Sequence, residues 1–171
     1  MEDYLIRYAK QYDIQGMADV YVFSWQAAYK DILPQDYLNS LTSQRWKTSY
    51  QATLGKEGMP KAVVMIHGDR IIGVSSFNKT RDTDLSEKYG EVISIYLLPE
   101  YWHKGLGTIL LEWVIEQLKA IGFSNCAIWT LEDNKRAQKT YERFGFARDG
   151  GVNELEIGGC IVRDIRYIKE I

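Results

Sequence analysis

EVISIYLLPEYWHKGLGTILL, residues 91–111, decides the fold of this chain. It begins as a β-rich apolar run and ends in a helical apolar pattern, with Gly105 and Gly107 at the junction. A loop that enters a helix presents amide N–H groups without intrahelical acceptors, and the helix dipole adds partial positive charge there. Glycines leave that backbone open to a bound group. The stretch predicts an anion site, or equally a tight turn that lets helix and sheet pack closely.

The residues that follow predict a βαβ unit. Apolar positions from Leu106 to Ile121 step by three and four, and Gly122 follows as a C-terminal cap. NCAIWTL, residues 125–131, has the composition of a buried strand. Residues 132–145 then predict a second helix, capped by Asp133 or Asn134. The unit from residue 91 to residue 131 therefore carries two parallel strands.

The other segments predict antiparallel strands and further helices. DYLIRYA (3–9) is typical of a strand, and the next helix, residues 13–29, begins at a cap on Asp13. Residues 30–54 indicate one or two short helices, residues 61–79 a hairpin around HGDR, and residues 145–171 a closing pair of strands. The order predicts an α/β (α+β) fold with a mixed, mostly antiparallel sheet and helices on its faces.

Composition limits the partners and the compartment. The 171 residues are the size of one domain, so we expect a single unit over residues 1–171. A net charge of -2 favours neither nucleic acid nor an anionic membrane as partner. Two cysteines, Cys126 and Cys160, form no disulfide framework and no metal-ligand spacing, and Cys126 fits a buried strand. Without an apolar signal segment or an 18-residue apolar run, the expected location is cytoplasmic.

Two familiar phosphate motifs do not fit the glycine stretch. A Walker loop requires Lys and Ser or Thr after its last glycine, whereas Gly107 is followed by Thr108 and Ile109. A dinucleotide fingerprint requires a third glycine where Leu110 stands. The anion site therefore belongs to another class.

Three stretches resemble the GNAT superfamily of N-acetyltransferases. IYLLPEYWHKGLGTILL is similar to its acyl-CoA pyrophosphate loop, a pattern of Gln or Arg, two residues, Gly, one residue, then Gly or Ala. EDNKRAQKTYERFGF is similar to its second segment, and HGDRIIGVSSF to its central hairpin. The glycines match, but Trp102 stands where Gln or Arg is usual, which puts that side chain's contribution in doubt.

The resemblance implies acetyl-CoA as co-substrate, no metal, and a parallel strand pair splayed around the cofactor. It places the pantetheine arm along Tyr96, Leu97 and Leu98, and the N–H near Leu97 at the thioester carbonyl. It places the pyrophosphate at Trp102, His103, Lys104, Gly105, Leu106, Gly107 and Thr108. From the second segment it adds Asn134, Ala137 and Tyr141; Asn134 alternatively serves only as a helix cap.

Two residues are predicted to be catalytic. Tyr141 matches the family's proton donor to the CoA sulfur, although a helical tyrosine aligned with Ala137 alternatively packs in the core. Glu91 matches the catalytic glutamate of the histone-acetylating branch; it is alternatively a solvated strand-start residue, with deprotonation through water. Trp25 and Tyr29 are either walls of the acceptor pocket or core residues.

The predicted function is acetyl transfer from acetyl-CoA to a primary amine of a small molecule, peptide or protein. One alternative is a non-catalytic acyl-CoA sensor of the same fold, which the presence of Tyr141 disfavours. Another is a nucleotide-binding α/β domain, which leaves the second segment unexplained. The sequence determines neither the acceptor nor the oligomeric state, and a homodimer is compatible with it.

Overall fold

The computed structural model describes residues 4–171, so Asp3, where the predicted first strand began, lies outside the described residues. The strands are β1 (Tyr4–Tyr8), β2 (Lys61–His67), β3 (Arg70–Lys79), β4 (Tyr89–Leu97), β5 (Asn125–Leu131), β6 (Ala147–Ile157) and β7 (Cys160–Glu170). The helices are α1 (Ile14–Ala28), α2 (Gln35–Ser40), α3 (Ser43–Thr53), α4 (Leu106–Ile121) and α5 (Lys135–Arg143). This order of elements is the predicted one.

The strands form one mixed sheet in the order β1-β2-β3-β4-β5-β7-β6. Every neighbouring pair is antiparallel except β4 and β5, which are parallel. Their pairing runs only from Tyr89, opposite Asn125, to Val92, opposite Ile128. Beyond that point the two strands separate, which confirms the predicted splay and opens a gap in the middle of the sheet.

Helix α4 covers one face of the sheet and α1 the other, and both pack on β3 and β4. The buried side of α4 consists of Leu106, Leu110, Leu111, Val114, Ile115 and Leu118. The spacing also placed Ile109 and Ile121 on this side, but they are 47% and 49% exposed. Gly90 permits this close packing, since a Cβ there would lie 2.6 Å from Leu118 Cδ2. The N-terminus of α4 is thereby held beside the end of β4.

The predicted cap of α1 is wrong. Asp13 precedes the helix, but its carboxylate accepts no hydrogen bond from the N-terminal amides of α1. It accepts instead from the Arg7 guanidinium at 2.6 and 2.9 Å and from the Lys10 amide at 2.7 Å. A guanidinium offers two charge-assisted bonds at once, which a helix amide cannot match. Asp13 therefore ties the entry of α1 to β1.

Within residues 4–171, no helix has the length and apolar character needed to span a membrane.

Candidate active site

A cavity of about 110 Å³ opens where β4 and β5 separate. Residues 93–97 of β4 form one wall, and Trp129 and Thr130 of β5 form the other. Helix α4 contributes Gly107 and Leu111, α5 contributes Asn134, Arg136, Ala137, Thr140 and Tyr141, and α1 contributes Ser24, Ala28 and Tyr29. The cleft is therefore lined by residues of α1, β4, α4, β5 and α5.

The backbone of β4 presents Leu97 to this cleft. The Leu98 N–H donates to Ile72 O on β3 at 2.8 Å. Because neighbouring residues of a strand turn their amides to opposite sides, the N–H and C=O of Leu97 point away from β3 and into the cleft. The Leu97 carbonyl accepts from Ser24 Oγ and Trp102 Nε1, each at 2.8 Å. The Leu97 N–H stays available, whereas the Leu98 N–H belongs to the sheet. The contribution of Leu98 to cofactor binding stays a prediction.

The glycine loop forms an open backbone cradle at the start of α4. Gly105 is the N-cap, with φ +79° and no heavy atom within 4 Å of the position a Cβ would take. His103 also has a positive φ of 61°. Among the described residues, no hydrogen bond uses the backbone N–H groups of residues 103–107. With the dipole of the 16-residue helix α4 behind them, these amides favour an anion.

The side chains of the loop contribute less than its backbone. Trp102 has already committed its indole N–H to Leu97 O, and Leu106 is buried in the core. His103, Lys104 and Thr108 are exposed around the cradle, with Lys104 Nζ 5.1 Å from the centre of the Tyr101 ring. Of the predicted side-chain donors, only these exposed residues can reach a bound phosphate.

Arg136, which the sequence analysis did not identify, lies on the Trp102 ring. Its guanidinium carbon is 3.6 Å from the ring centre. Since Trp102 precedes α4 and Arg136 begins α5, the stack connects the two sides of the cleft. Among the described residues, no carboxylate pairs with this guanidinium and no hydrogen bond involves it. The only feature of the sequence that could have indicated Arg136 as a site residue is its position two residues after the predicted cap, Asn134.

Tyr141 lies both in the core and on the cleft. It is 7% exposed and packs against the rings of Phe146 and Tyr167, so the core alternative is correct as far as packing is concerned. It also lines the cavity beside Ala137, whose N–H is capped by the Asn134 side chain at 3.2 Å. Burial raises the pKa of Tyr141 well above its usual value. The phenol therefore keeps its proton at neutral pH.

Glu91 is not the solvated residue that its place near a strand start indicated. It is 1% exposed, because β4 lies in the middle of the sheet. Its carboxylate accepts from the Arg81 amide at 3.0 Å, from Arg81 Nε at 3.2 Å and from Arg81 Nη2. Glu91 lies at the paired end of β4, before the splay, and does not line the cavity. Its role as general base stays a prediction.

Trp129 and Tyr29 line the cleft, and Trp25 packs behind Tyr29. The strand pattern indicated Trp129 as a core residue; this is wrong, since its indole N–H donates to Asp82 Oδ2 at 2.9 Å beside the cavity. Trp25 and Tyr29 meet edge to face with ring centres 4.9 Å apart, in an aromatic cluster with Tyr21, Trp46 and Tyr96. Of the two predicted acceptor walls, Tyr29 reaches the cleft.

Two further observations concern possible metal ligands and the buried thiol. No group of three or more His, Cys, Asp or Glu residues within residues 4–171 could hold a metal ion. Cys126 is buried, as predicted, and burial raises the pKa of its thiol to about 12. At neutral pH that thiol is neither a nucleophile nor a ligand.

Comparison with known proteins gives a consistent result. The model of the acetyltransferase (GNAT) family matches residues 22–146. YuaI, an uncharacterized N-acetyltransferase of Bacillus subtilis (strain 168), is 36% identical over 132 residues, which cover 75% of this chain and 72% of YuaI.

Two solved structures are similar to this chain in fold. PaiA N-acetyltransferase from Thermoplasma acidophilum, solved with coenzyme A, has a TM-score of 0.76 at 18% identity and covers 99% of both chains. YncA from Salmonella typhimurium, solved with its cofactor acetyl-CoA, has a TM-score of 0.69 at 19% identity, over 98% of this chain and 93% of YncA.

Proposed function

The chain belongs to the acetyltransferase (GNAT) family, and on this basis we propose that it transfers an acetyl group from acetyl-CoA directly to a primary amine. One observation carries the proposal. The cleft at the splay has the glycine cradle at its entrance and the buried phenol of Tyr141 in its wall. Acetyl transfer from a thioester that carries phosphates requires an anion site for the phosphates and a proton donor for the departing thiolate, and this cleft has both.

The residues present fit the cofactor. Gly105 leaves the space beside the free amides of residues 103–107 empty, so the pyrophosphate can approach the backbone closely. The Leu97 N–H is placed to donate to the pantetheine arm or to the thioester carbonyl, in the manner of an added strand. Asn134 and Ala137 border the same cleft. Acetyl-CoA, when bound, supplies the acetyl group as an activated thioester.

The protein then has three tasks in direct transfer. The Leu97 N–H stabilises the negative charge that develops on the carbonyl oxygen. Tyr141 Oη donates a proton to the departing sulfur; the dry cleft that raises the pKa of this phenol also raises that of the thiol it serves. The acceptor must lose a proton, for which Glu91 or water is the predicted base. No nucleophilic side chain is required.

The experiment that tests this function is a calorimetric titration with acetyl-CoA, CoA and ATP, followed by thiol release with a panel of amines. We expect both CoA species to bind and one amine class to release thiol. Binding without release on any amine would favour the acyl-CoA sensor. Preferential binding of ATP would favour the nucleotide-binding domain and contradict the proposal.

Arg136 is expected to supply the positive charge that Trp102 does not. Its free guanidinium lies next to the cradle, and a charge-assisted hydrogen bond to phosphate contributes roughly 1.5–3 kcal/mol. Arg136→Gln should therefore weaken CoA binding about tenfold or more at low salt. Calorimetry with CoA, and with pantetheine lacking phosphates, measures the effect.

Lys139→Gln is the matched control, since it removes one exposed positive charge from the same helix at a residue outside the cleft lining. We expect it to leave CoA affinity within about twofold, as isolated surface charges contribute little. Equal losses in both variants would show that Arg136 acts only through the general charge of α5. A loss for pantetheine as large as that for CoA would contradict the phosphate contact.

A further inference from the structure

Asp164 lies on β7, on the face of the sheet that carries Tyr29. It does not itself line the cavity, but its charge acts on Tyr29 and Tyr141, which do. Side chains alternate along β7: Ile165 and Tyr167 are in the main core, whereas Val162 packs in a separate apolar cluster with Tyr29 and Leu131. Asp164 shares the face of Val162. It is paired in register with Leu131, at the end of β5 where the parallel strands have separated.

The carboxylate of Asp164 has no side-chain partner. Among the described residues, no side chain donates a hydrogen bond to it and no cation forms an ion pair with it. This distinguishes it from its neighbours. Arg81 is taken by Glu91, and Arg166 is shared by Asp82, Asp84 and Asp149. Asp164 is therefore a carboxylate without a side-chain hydrogen bond or ion pair, and its ionised form is stabilised only in part, by the Ile165 amide and by the more distant charge of Arg81.

Other titratable groups surround Asp164 on every side. The groups that face it or act on its surroundings are Arg81 and Asp82 from the loop before β4, Glu91 from β4, Arg166 from its own strand, Tyr29 at the end of α1, and Arg136 and Tyr141 from α5. Burial raises the pKa of Asp164 to about 6. Its carboxylate is thus ionised at pH 7, yet basic enough to accept a proton.

We propose that Asp164 binds the ammonium group of the acceptor and takes its proton before transfer. The inference rests on the proposed function and names the residue that prepares the amine. Glu91 is poorly placed for this task, since Arg81 occupies its carboxylate. Asp164 accepts no side-chain hydrogen bond and lies on the same face as Tyr29, which lines the cleft.

The protons balance as follows. One N–H bond of the ammonium breaks, and the proton moves to Asp164, which leaves a lone pair on nitrogen. That lone pair forms the amide bond as the carbon–sulfur bond breaks. Nitrogen loses a second proton to water, and Tyr141 supplies one proton to sulfur. Water then restores Tyr141 and Asp164, so that one ammonium yields one amide, one thiol and one released proton.

The pH dependence of kcat/KM tests the proposal. With Asp164 as base, the ammonium form is the substrate, so kcat/KM should be flat from about pH 6 to pH 9 and fall about tenfold per unit below pH 6, where the carboxylate is protonated. The Asp164→Asn variant can use only the neutral amine. The fraction of neutral amine rises tenfold per pH unit up to the pKa of the amine, about 10.4. We expect a loss of about 100-fold at pH 7 that disappears near pH 9.

Asp84→Asn is the matched control. Asp84 is an exposed carboxylate that forms an ion pair with Arg166. Because Arg166 lies on β7 two residues after Asp164, the variant makes the same charge change nearby. It should keep the flat profile. A flat profile in Asp164→Asn would overturn the proposal, because a residue that only maintains structure does not change the slope. A rising slope in Glu91→Gln but not in Asp164→Asn would assign the base to Glu91 instead.

Amine binding to the CoA-loaded protein tests Asp164 even if no thiol is released. Calorimetry at pH 7 uses the fastest amine of the panel, or phenethylamine if none reacts, because aromatic rings surround Tyr29. We expect Asp164→Asn to weaken binding about tenfold without changing CoA affinity. If the wild type released no thiol but its amine binding depended on Asp164, the proposed function would be refuted and the amine-binding role of Asp164 would stand. Unchanged amine binding would refute the role of Asp164.

Discussion

Replacing Gly105 by glutamate is expected to weaken acetyl-CoA binding by more than about 100-fold. Two effects add. A non-glycine residue at φ +79° costs about 1–2 kcal/mol, which weakens binding because the unbound loop can relieve this strain and the bound loop cannot. The new carboxylate also lies where the cofactor's pyrophosphate must approach. No protein atom lies within 4 Å of the new Cβ, so the fold has room for the side chain. Calorimetry with acetyl-CoA measures the loss, and thermal unfolding without ligand checks the fold.

Gly105→Ala separates the two effects of this substitution. It keeps the backbone strain and omits the charge and the bulk, so we expect only about a tenfold loss of affinity. If Gly105→Glu bound acetyl-CoA as wild type does, the cradle would not be the cofactor site, and the glycines would serve only the turn. If both variants unfolded at the same lowered temperature and bound equally poorly, strain alone would explain the loss.

Replacing Tyr141 by phenylalanine is expected to lower kcat about 100-fold while CoA affinity stays within about threefold. The change removes one oxygen from a ring that keeps its contacts with Phe146 and Tyr167, so packing is preserved. General acid catalysis contributes about 100-fold or more, and this phenol is protonated at every pH in the working range. Steady-state thiol release and calorimetry with CoA give the two numbers.

Tyr167→Phe is the matched control for this substitution. Tyr167 is another buried tyrosine that contacts Tyr141, but its hydroxyl donates to Glu142 and not into the cleft. Its removal should change kcat less than about threefold. If Tyr141→Phe kept its turnover, water would protonate the departing thiolate and Tyr141 would not be the proton donor. An equal loss in both variants would point to packing of α5 rather than to proton transfer.

The order of strands and helices could be predicted from the sequence because it depends on local patterns. Spacing of three and four along α4, Gly122 after its last turn and the Asn134 cap of α5 are all readable within a few residues. The glycine loop was predicted for the same reason. A positive φ at Gly105 and free amides at a helix start follow from a short stretch of chain.

The partners of side chains could not be predicted in this way, because they come from distant parts of the chain. The sequence indicated that Glu91 is an exposed carboxylate at the start of a strand. In the structure it is buried in the middle of the sheet and forms an ion pair with Arg81, a residue of the preceding loop. The sequence likewise indicated that Trp129 is a core residue. In the structure its indole N–H donates a hydrogen bond to Asp82 beside the cleft. Each outcome depends on which strand lies next to which, and on how the loop before β4 crosses the sheet.

The sequence by itself therefore determined the elements, the βαβ unit and the backbone cradle, since each rests on residues close together in the chain. Only the tertiary structure decided the chemistry around them. It stacked Arg136 on Trp102, turned the Leu97 amide into the cleft and left Asp164 without a side-chain partner. Burial and charge compensation are properties of residues brought together from five or more elements, and no local pattern encodes them.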